Sequence, residues 1–366
     1  MRAAVVILNW NGIDFLKKYL PVLIEHTPKE SGTIIVADNG STDGSVEMLH
    51  KEFSSIEVIE FDRNYGFTGG YNRALEMIEA EYYVLINSDI RVSEGWLDSI
   101  LDFMENNPQA QICMPKILSE ARHQQIISAT PHSKEAKLLE TFEYAGACGG
   151  FIDRYGFPFC RGRVLSKVED DHGQYDDPME IFWATGACMV VKSALYKELG
   201  GLDESFFAHM EEIDFCWRAK LLGHEVWVVP QSKVYHVGGG TLPNNSPRKL
   251  YLNYRNNLLM LYKNLPYKED DKTTEHRRNF FIFKRMCIDG LSAIVYLLQG
   301  KRHFFKAVLN AHSDFKKMKA NTEISPRLIS YTNSTLKVLS GAYRSSIIFK
   351  FFTGKNRFSQ LDIHKK

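Results

Sequence analysis

The sequence predicts an α/β protein built on a doubly wound, mostly parallel sheet. Two observations predict it. Short β-branched, apolar runs alternate with stretches whose apolar residues recur at helical spacing. Successive runs of the first kind also end in polar, glycine-containing turns, which is where open α/β sheets bind ligands.

Taken in order, Ala3-Ala4-Val5-Val6-Ile7-Leu8 reads as a buried strand, and Ile13, Leu16, Leu20, Leu23 and Ile24 repeat as one face of a helix. Asn9-Trp10-Asn11-Gly12 is then a strand-to-helix loop. Thr33-Ile34-Ile35-Val36-Ala37 is a second strand, and the turn-forming Asp38-Asn39-Gly40-Ser41-Thr42-Asp43-Gly44-Ser45 leads into a second helix. A third strand, Ile56 to Phe61, runs into Asn64-Tyr65-Gly66-Phe67-Thr68-Gly69-Gly70-Tyr71-Asn72. Glycines 66, 69 and 70 would let backbone amides approach phosphate oxygens, although tight turns alone also use such glycines. Tyr82-Tyr83-Val84-Leu85-Ile86 is a fourth strand that delivers Asn87, Ser88 and Asp89 to the carboxyl edge. A carboxylate there can hold a divalent cation; an ordinary turn would use the same residue types. No GxGxxG follows the first strand and no GxxxxGK[ST] occurs, so dinucleotide and P-loop readings lose their main support.

Residues 119 to 180 are rich in glycine, arginine and aromatics but poor in periodicity, which reads as a lid or, alternatively, a disordered insertion. Phe182-Trp183-Ala184-Thr185-Gly186 then turns into another strand. In Glu211-Glu212-Ile213-Asp214-Phe215-Cys216-Trp217-Arg218, helical spacing puts Glu211, Asp214 and Arg218 on one face, so Asp214 and Arg218 can pair at i+4. Glu212 points about 100° away from Glu211. Acids set among Phe, Met, Ile and Trp predict a partly buried carboxylate with a raised pKa. His236, ahead of Gly238-Gly239-Gly240-Thr241, is either a metal or phosphate ligand or a structural histidine. The six cysteines form no CxxC pair and fit reduced thiols.

These segments together resemble glycosyltransferase family 2, inverting transferases of GT-A fold, and in particular its rhamnosyltransferase-like bacterial branch. The resemblance covers about residues 1 to 260. It rests on the Asp38 to Ser45 loop, on the Asn64 to Asn72 segment, on Asn87-Ser88-Asp89 in place of DxD, and on Glu211 to Arg218 as EDxDxxxR. It implies a nucleotide-diphosphate sugar bound by Asn9, Asn11, Asp38, Asn64, Gly66, Gly69, Gly70, Asn72, Asn87, Ser88, Asp89 and Arg255. Asp38 would read the base. Asp89, with His236, would hold Mn2+ or Mg2+, and Glu212 beside Glu211 would act as catalytic base. Trp183, Gly186 and Asp214 would meet a glycan or lipid-linked acceptor in surface polysaccharide synthesis. Asn87 replaces the commoner first Asp, and Glu212 is one methylene longer than the usual Asp. Residues 1–247 would form the transferase domain, with the donor half about 1–118 and the acceptor half 119–247.

The formal net charge of +1 hides a division, since residues 248–366 carry 24 Lys and Arg against 8 Asp and Glu. This basic helical region, with Phe280, Phe283, Cys287, Leu291, Ile294 and Leu298 at helical spacing, suits either a membrane surface or packing on the catalytic domain. Ser345 to Phe352 could add a second surface contact. No uninterrupted apolar run approaches the roughly 18 residues of a spanning helix. Met1-Arg2 passes straight into the first strand without a leader, so a cytoplasmic protein, peripheral on the inner face of the membrane, is expected, with no nucleic-acid partner. Two other readings remain at this point. A nucleotidyltransferase that makes sugar donors would want a basic glycine-rich loop after the first strand, and a non-catalytic scaffold would have no use for Asp89 and Glu212.

Overall fold

A computed structural model describes residues 1–130, 133–238, 246–265, 272–322, 336 and 339–363. The chain opens with β1 (Ala3–Asn9), α1 (Ile13–Glu25), β2 (Thr33–Asp38), α2 (Ser45–Glu52), β3 (Glu57–Glu60), α3 (Gly66–Glu76) and β4 (Tyr82–Ile86). It continues through β5 (Ile90–Val92), α4 (Trp96–Asn106), β6 (Ala110–Ser119) and α5 (Glu120–Ile127). Short strands follow: β7 (Gly150–Asp153), β8 (Pro158–Cys160), β9 (Arg163–Val164), β10 (Lys167–Val168) and β11 (Met179–Ile181). Then come β12 (Cys188–Lys192), α6 (Ser193–Glu198), α7 (Glu211–Leu221) and β13 (Glu225–His236). The remainder comprises α8 (Pro247–Asn264), α9 (Lys272–Leu298), α10 (Arg302–Ala320), β14 (Ala342–Tyr343) and α11 (Ile347–Phe352).

The main sheet runs β11-β13-β6-β12-β4-β1-β2-β3, with β5 added to β13. Strands β4, β1, β2 and β3 are mutually parallel, in a register that pairs Asn9 with Asp38 and Ile7 with Ile86. The chain steps from β1 to β2 and β3 on one side, then returns to place β4 on the other. The crevice beyond β1 and β4 is therefore the switch point where ligands of such sheets sit. The parallel run stops at β12, which is antiparallel to both β4 and β6. The residues of β1 and β4 are almost wholly buried on both faces, which is why they read as unbroken apolar runs rather than alternating ones.

Among the described residues, the stretch from 119 to 180 is largely ordered rather than a disordered insertion, and its Glu143, Tyr144 and Ala145 line the cavity described below. Its residues β7 to β10 form a second sheet, ordered β10-β9-β8-β7-β14, whose last strand comes from the carboxyl-terminal region. Strands of two to four residues are too short to show a period of two, which is why the pattern looked irregular. Phe142, Phe151 and Phe159 are buried there, and Phe358 packs on Phe151 with ring centroids 4.8 Å apart. The Ile347 amide donates to Asp153 Oδ2 at 2.9 Å, tying the chain's last segment to the same sheet.

All six cysteines are free thiols, five of them buried. No helix among the described residues is long and apolar enough to cross a membrane. Gly239, Gly240 and Thr241 of the expected glycine-rich loop lie outside the described residues.

Candidate active site

The carboxyl ends of β1, β2 and β4 open into a cavity of about 600 Å3. Its floor on this side is made by Asn11, Asn39, Asn64, Asn87, Ser88 and Asp89, with Trp10 at the mouth. Asp38 itself faces inward. Its Oδ2 accepts from Asn9 Nδ2 at 2.9 Å and its Oδ1 from the Ser41 amide at 2.8 Å, so Asp38 and Asn9 brace the loop and the neighbouring Asn39 reaches the cavity. Asn11 sits at φ 50° and accepts from the Thr42 amide at 2.8 Å.

The Asn64 to Asn72 segment divides in the same way. Asn64 Oδ1 caps the Gly66 amide at 2.7 Å, and Gly66, at φ +75°, passes so close to Phe207 that a Cβ would lie 2.6 Å from its ring. Gly70 gives room to Leu8, and Gly69 lies against Tyr65 and Arg73; neither lines the cavity. Asn72 spends its amide on the Leu202 carbonyl and amide and on the Tyr196 hydroxyl, at 2.7 to 2.9 Å, which makes it a brace for the loop after α6.

Opposite β4 stands the amino terminus of α7. The turn that delivers it contains Phe207, His209 and Met210, three non-glycine residues with φ of 66°, 70° and 74°. Such conformations are costly and persist where surrounding structure enforces them. Here the enforcement comes from α8: buried Asn256 donates to the carbonyls of Phe206, Ala208 and His209 at 2.7 to 3.0 Å, and Arg255 Nη2 to that of Phe206 at 3.1 Å. Arg255, expected at a diphosphate, thus holds the turn instead. Asp214 is likewise withdrawn from any acceptor. It is fully buried, paired with Arg218 Nε at 2.8 Å as the i+4 spacing requires, and accepts from Asn264 at 2.7 Å. Trp183 lies over Gly150 in the core and donates to the Phe151 carbonyl at 2.9 Å, so it too lies away from the cavity. Gly186 does line it, with Phe67 and Glu212 as neighbours of its α-carbon face.

With Asp214 neutralised by Arg218, two carboxylates are left at the start of α7 facing the cavity. One oxygen of Glu211 and one of Glu212 are buried without a hydrogen-bond partner among the described residues. Burial raises Glu212 to about 7, and burial together with the Glu212 charge raises Glu211 well above the usual carboxylate range. Two buried acids this close do not both ionise at neutral pH, so the pair presents one proton acceptor and one protonated neighbour.

Asp89 is nearly buried, and its Oδ1 lies 3.2 Å from Nε2 of His236 at the end of β13. The other ring nitrogen of His236 faces Glu143 Oε2 at 3.3 Å. Burial disfavours charge on this imidazole, but its two carboxylate neighbours push it up to about 10, and Glu143 is lowered in turn by His236 despite its burial. Among the described residues no three His, Cys, Asp or Glu side chains converge as a metal-holding group. His236 is held protonated between Asp89 and Glu143 and would offer a nitrogen to a cation only once that proton is displaced. Asp89 supplies the carboxylate such a cation would meet, its shell completed by substrate phosphates, and Glu143 stands where an outer carboxylate would fix the ring. Two cationic side chains also enter the cavity wall. Arg248 and Lys249 reach it from the first turn of α8, and His209, lowered to about 4 by burial and by the Lys249 charge, lies beside them.

Glu143, His209, Arg248 and Lys249 were not anticipated from sequence. The Ser246-Pro247 helix start followed by two basic residues is a local signal that could have pointed to the last two. Glu143 has none.

Residues 4–200 match the model of glycosyl transferase family 2. The chain belongs to that family. The transferase is 23% identical over 246 residues to the N-acetylglucosaminyl-diphospho-decaprenol L-rhamnosyltransferase of Mycobacterium tuberculosis, covering 63% of this chain and 75% of that protein. It is 22% identical to the rhamnosyltransferase WbbL of Escherichia coli K12, covering 63% and 82%. Among solved structures, S. aureus TarS 1-349 in complex with UDP-GlcNAc superposes with a TM-score of 0.51 at 16% identity, covering 91% of this chain and 84% of that one. The Pyrobaculum calidifontis mannosyltransferase PcManGT with GDP-Man and Mn2+ superposes with a TM-score of 0.50 at 11% identity, covering 88% of each. The fold of this transferase is thus GT-A, a mixed α/β sheet with a helical carboxyl-terminal part.

Proposed function

We propose that this glycosyltransferase moves a sugar, with inversion at the anomeric carbon, from a nucleoside-diphosphate sugar to a hydroxyl of a lipid-linked glycan at a membrane surface. The observation that carries the reading is the placement of Glu212 and Asp89 in the lining of one cavity, where Glu212 and Glu211 each keep a buried oxygen without a hydrogen-bond partner among the described residues, while the unpartnered nitrogen of His209, lowered to about 4, is the weaker base. The asparagine-lined floor takes the nucleotide and ribose, and its diphosphate lies toward Asp89, His236 and Lys249. A divalent cation, Mn2+ or Mg2+, held by Asp89, with His236 joining once its proton is displaced, would neutralise charge on the departing diphosphate. Glu212 accepts the proton of the acceptor hydroxyl as its oxygen attacks the anomeric carbon, while the bond from that carbon to the diphosphate oxygen breaks and the nucleoside diphosphate leaves with the electron pair. Phe67 and Gly186 border the space where the acceptor must approach.

The diphospho-decaprenol acceptor in the name of the M. tuberculosis relative supports the lipid-linked class. The UDP-GlcNAc and GDP-Man bound by TarS and PcManGT support the donor class. Thermal stabilisation of the purified protein by a panel of nucleoside-diphosphate sugars, with and without Mn2+, identifies the donor. The anomeric configuration of the product, read by NMR, then tests inversion. A product that retains the donor's configuration would overturn the single-base mechanism.

A further inference from the structure

Helix α9 buries three of its charged residues and leaves a stripe of apolar side chains exposed. Phe280, Phe283, Cys287, Leu291, Ile294 and Leu298 fall on one face, and exposure there rises to 61% at Phe283, 64% at Leu291 and 82% at Leu298. The stripe is about 27 Å long at the α-helical rise. The opposite face packs inward through Arg278, Arg285 and Asp289. Arg285 pairs with Asp289 at 2.9 Å, donates to the Gly156 carbonyl at 3.2 Å and to Asn257 of α8, and covers the Phe157 ring. Asp289 also lies 3.5 Å from His312 of α10. Helix orientation in water normally follows apolar burial. Here a specific buried polar network sets it the other way, and the apolar stripe is left without cover among the described residues.

We infer that this stripe is the surface on which the transferase rests on an anionic lipid bilayer, lying in the interface plane rather than spanning it. Charge decides the occupant. From Arg277 to Lys306 the only acid is Asp289, which is buried, whereas Arg277, Lys284, Lys301, Arg302 and Lys306 are exposed. A second copy of this chain would set cation against cation across the stripe. Anionic headgroups complement the cations, while the acyl boundary takes the apolar side chains. Buried Arg285 and Asp289 rule out deeper insertion. The same helix is seated on α8, whose first turn brings Arg248 and Lys249 to the cavity, so docking would hold that cavity beside the lipid headgroups. The inference rests on the lipid-linked acceptor reading for its purpose, and it is testable apart from it.

The full chain is floated with vesicles of phosphatidylcholine alone or mixed with phosphatidylglycerol. The expected result is flotation with the mixed vesicles only, weakening as salt rises, and loss of about tenfold or more of the bound fraction in Leu291→Glu with Leu298→Glu. Leu291→Ser with Leu298→Ser gives the same comparison should the charged pair fail to fold. Donor-induced thermal stabilisation is measured in parallel and is expected to be unchanged in the variants. Flotation of the variants at the wild-type level overturns the assignment of the stripe, and so does a stable wild-type dimer in solution that these substitutions dissociate. Wild-type protein that ignores mixed vesicles yet binds a donor overturns the surface and leaves the transfer reading standing. Flotation without any donor binding does the reverse.

Discussion

Replacing Glu212 by Gln keeps the shape of the side chain and removes its ability to take a proton. With Glu212 raised to about 7 by burial, about one molecule in eleven holds the ionised base at pH 6 and about ten in eleven at pH 8, so kcat/KM should rise about tenfold between those values. The direction is fixed by the chemistry: the active form is the deprotonated one, so activity is lost as pH falls through the pKa. Burial and the Glu212 charge raise Glu211 as well, so the observed limb belongs to the pair rather than to one side chain. Glu212→Gln should flatten the limb and lower turnover by about 10² to 10⁴, or about 3 to 5 kcal/mol of barrier, while donor affinity barely changes. Glu212→Asp should keep some activity, reduced because the shorter side chain stands farther from the hydroxyl. Glu211→Gln should be milder than Glu212→Gln. Initial rates of transfer across the pH range, with donor affinity from calorimetry, give all these quantities. A Glu212→Gln enzyme with wild-type turnover and an intact limb would place the base elsewhere, and a dead Glu211→Gln beside an active Glu212→Gln would exchange the two roles.

Asp89→Ala should abolish Mn2+-dependent donor binding and also lower the thermal midpoint, since it removes one of the two carboxylates that face buried His236. Glu143→Ala should weaken Mn2+ affinity by about 10- to 100-fold, and Glu143→Gln by less, because an amide oxygen can still face the His236 ring. Calorimetric titration of Mn2+ in the presence of the donor checks both, and unchanged affinity in the Glu143 pair would reduce that residue to a packing role. Asn256→Ala strips the carbonyls of Phe206, Ala208 and His209 of their shared donor; urea melts should show a loss of about 1 to 3 kcal/mol, together with slower transfer as the start of α7 relaxes. Folding stability should fall as pH rises from the ordinary carboxylate range toward neutrality, since the native state keeps protons on Glu211 and Glu212 that the unfolded chain releases. Glu211→Gln should reduce that slope in thermal melts, and a slope equal to wild type would show that Glu211 is ionised in the fold.

Local chemistry made part of this protein readable without its fold. Strand runs buried on both faces are apolar throughout, and the residues that end them must turn the chain, so β1, β2 and β4 and the loops at Asn11, Asn39 and Asn87 to Asp89 follow from composition alone. The Asp214–Arg218 pair follows from helical geometry. What a side chain faces is a different matter, because it depends on elements far away in sequence. Asp38 turned inward because Asn9 lay across from it in the parallel register, and Arg255 reached the Phe206 carbonyl rather than a phosphate because α8 packs behind the turn before α7. Trp183 and Asp214 were spent on the core. Glu143 joined the site only when a segment too short-stranded to show its period folded beside the end of β13. The α9 stripe shows the same limit. Its apolar spacing is plain in the sequence, but its outward direction was set by Arg285 finding Asn257 and Asp289 finding His312, contacts that exist only once three helices have packed.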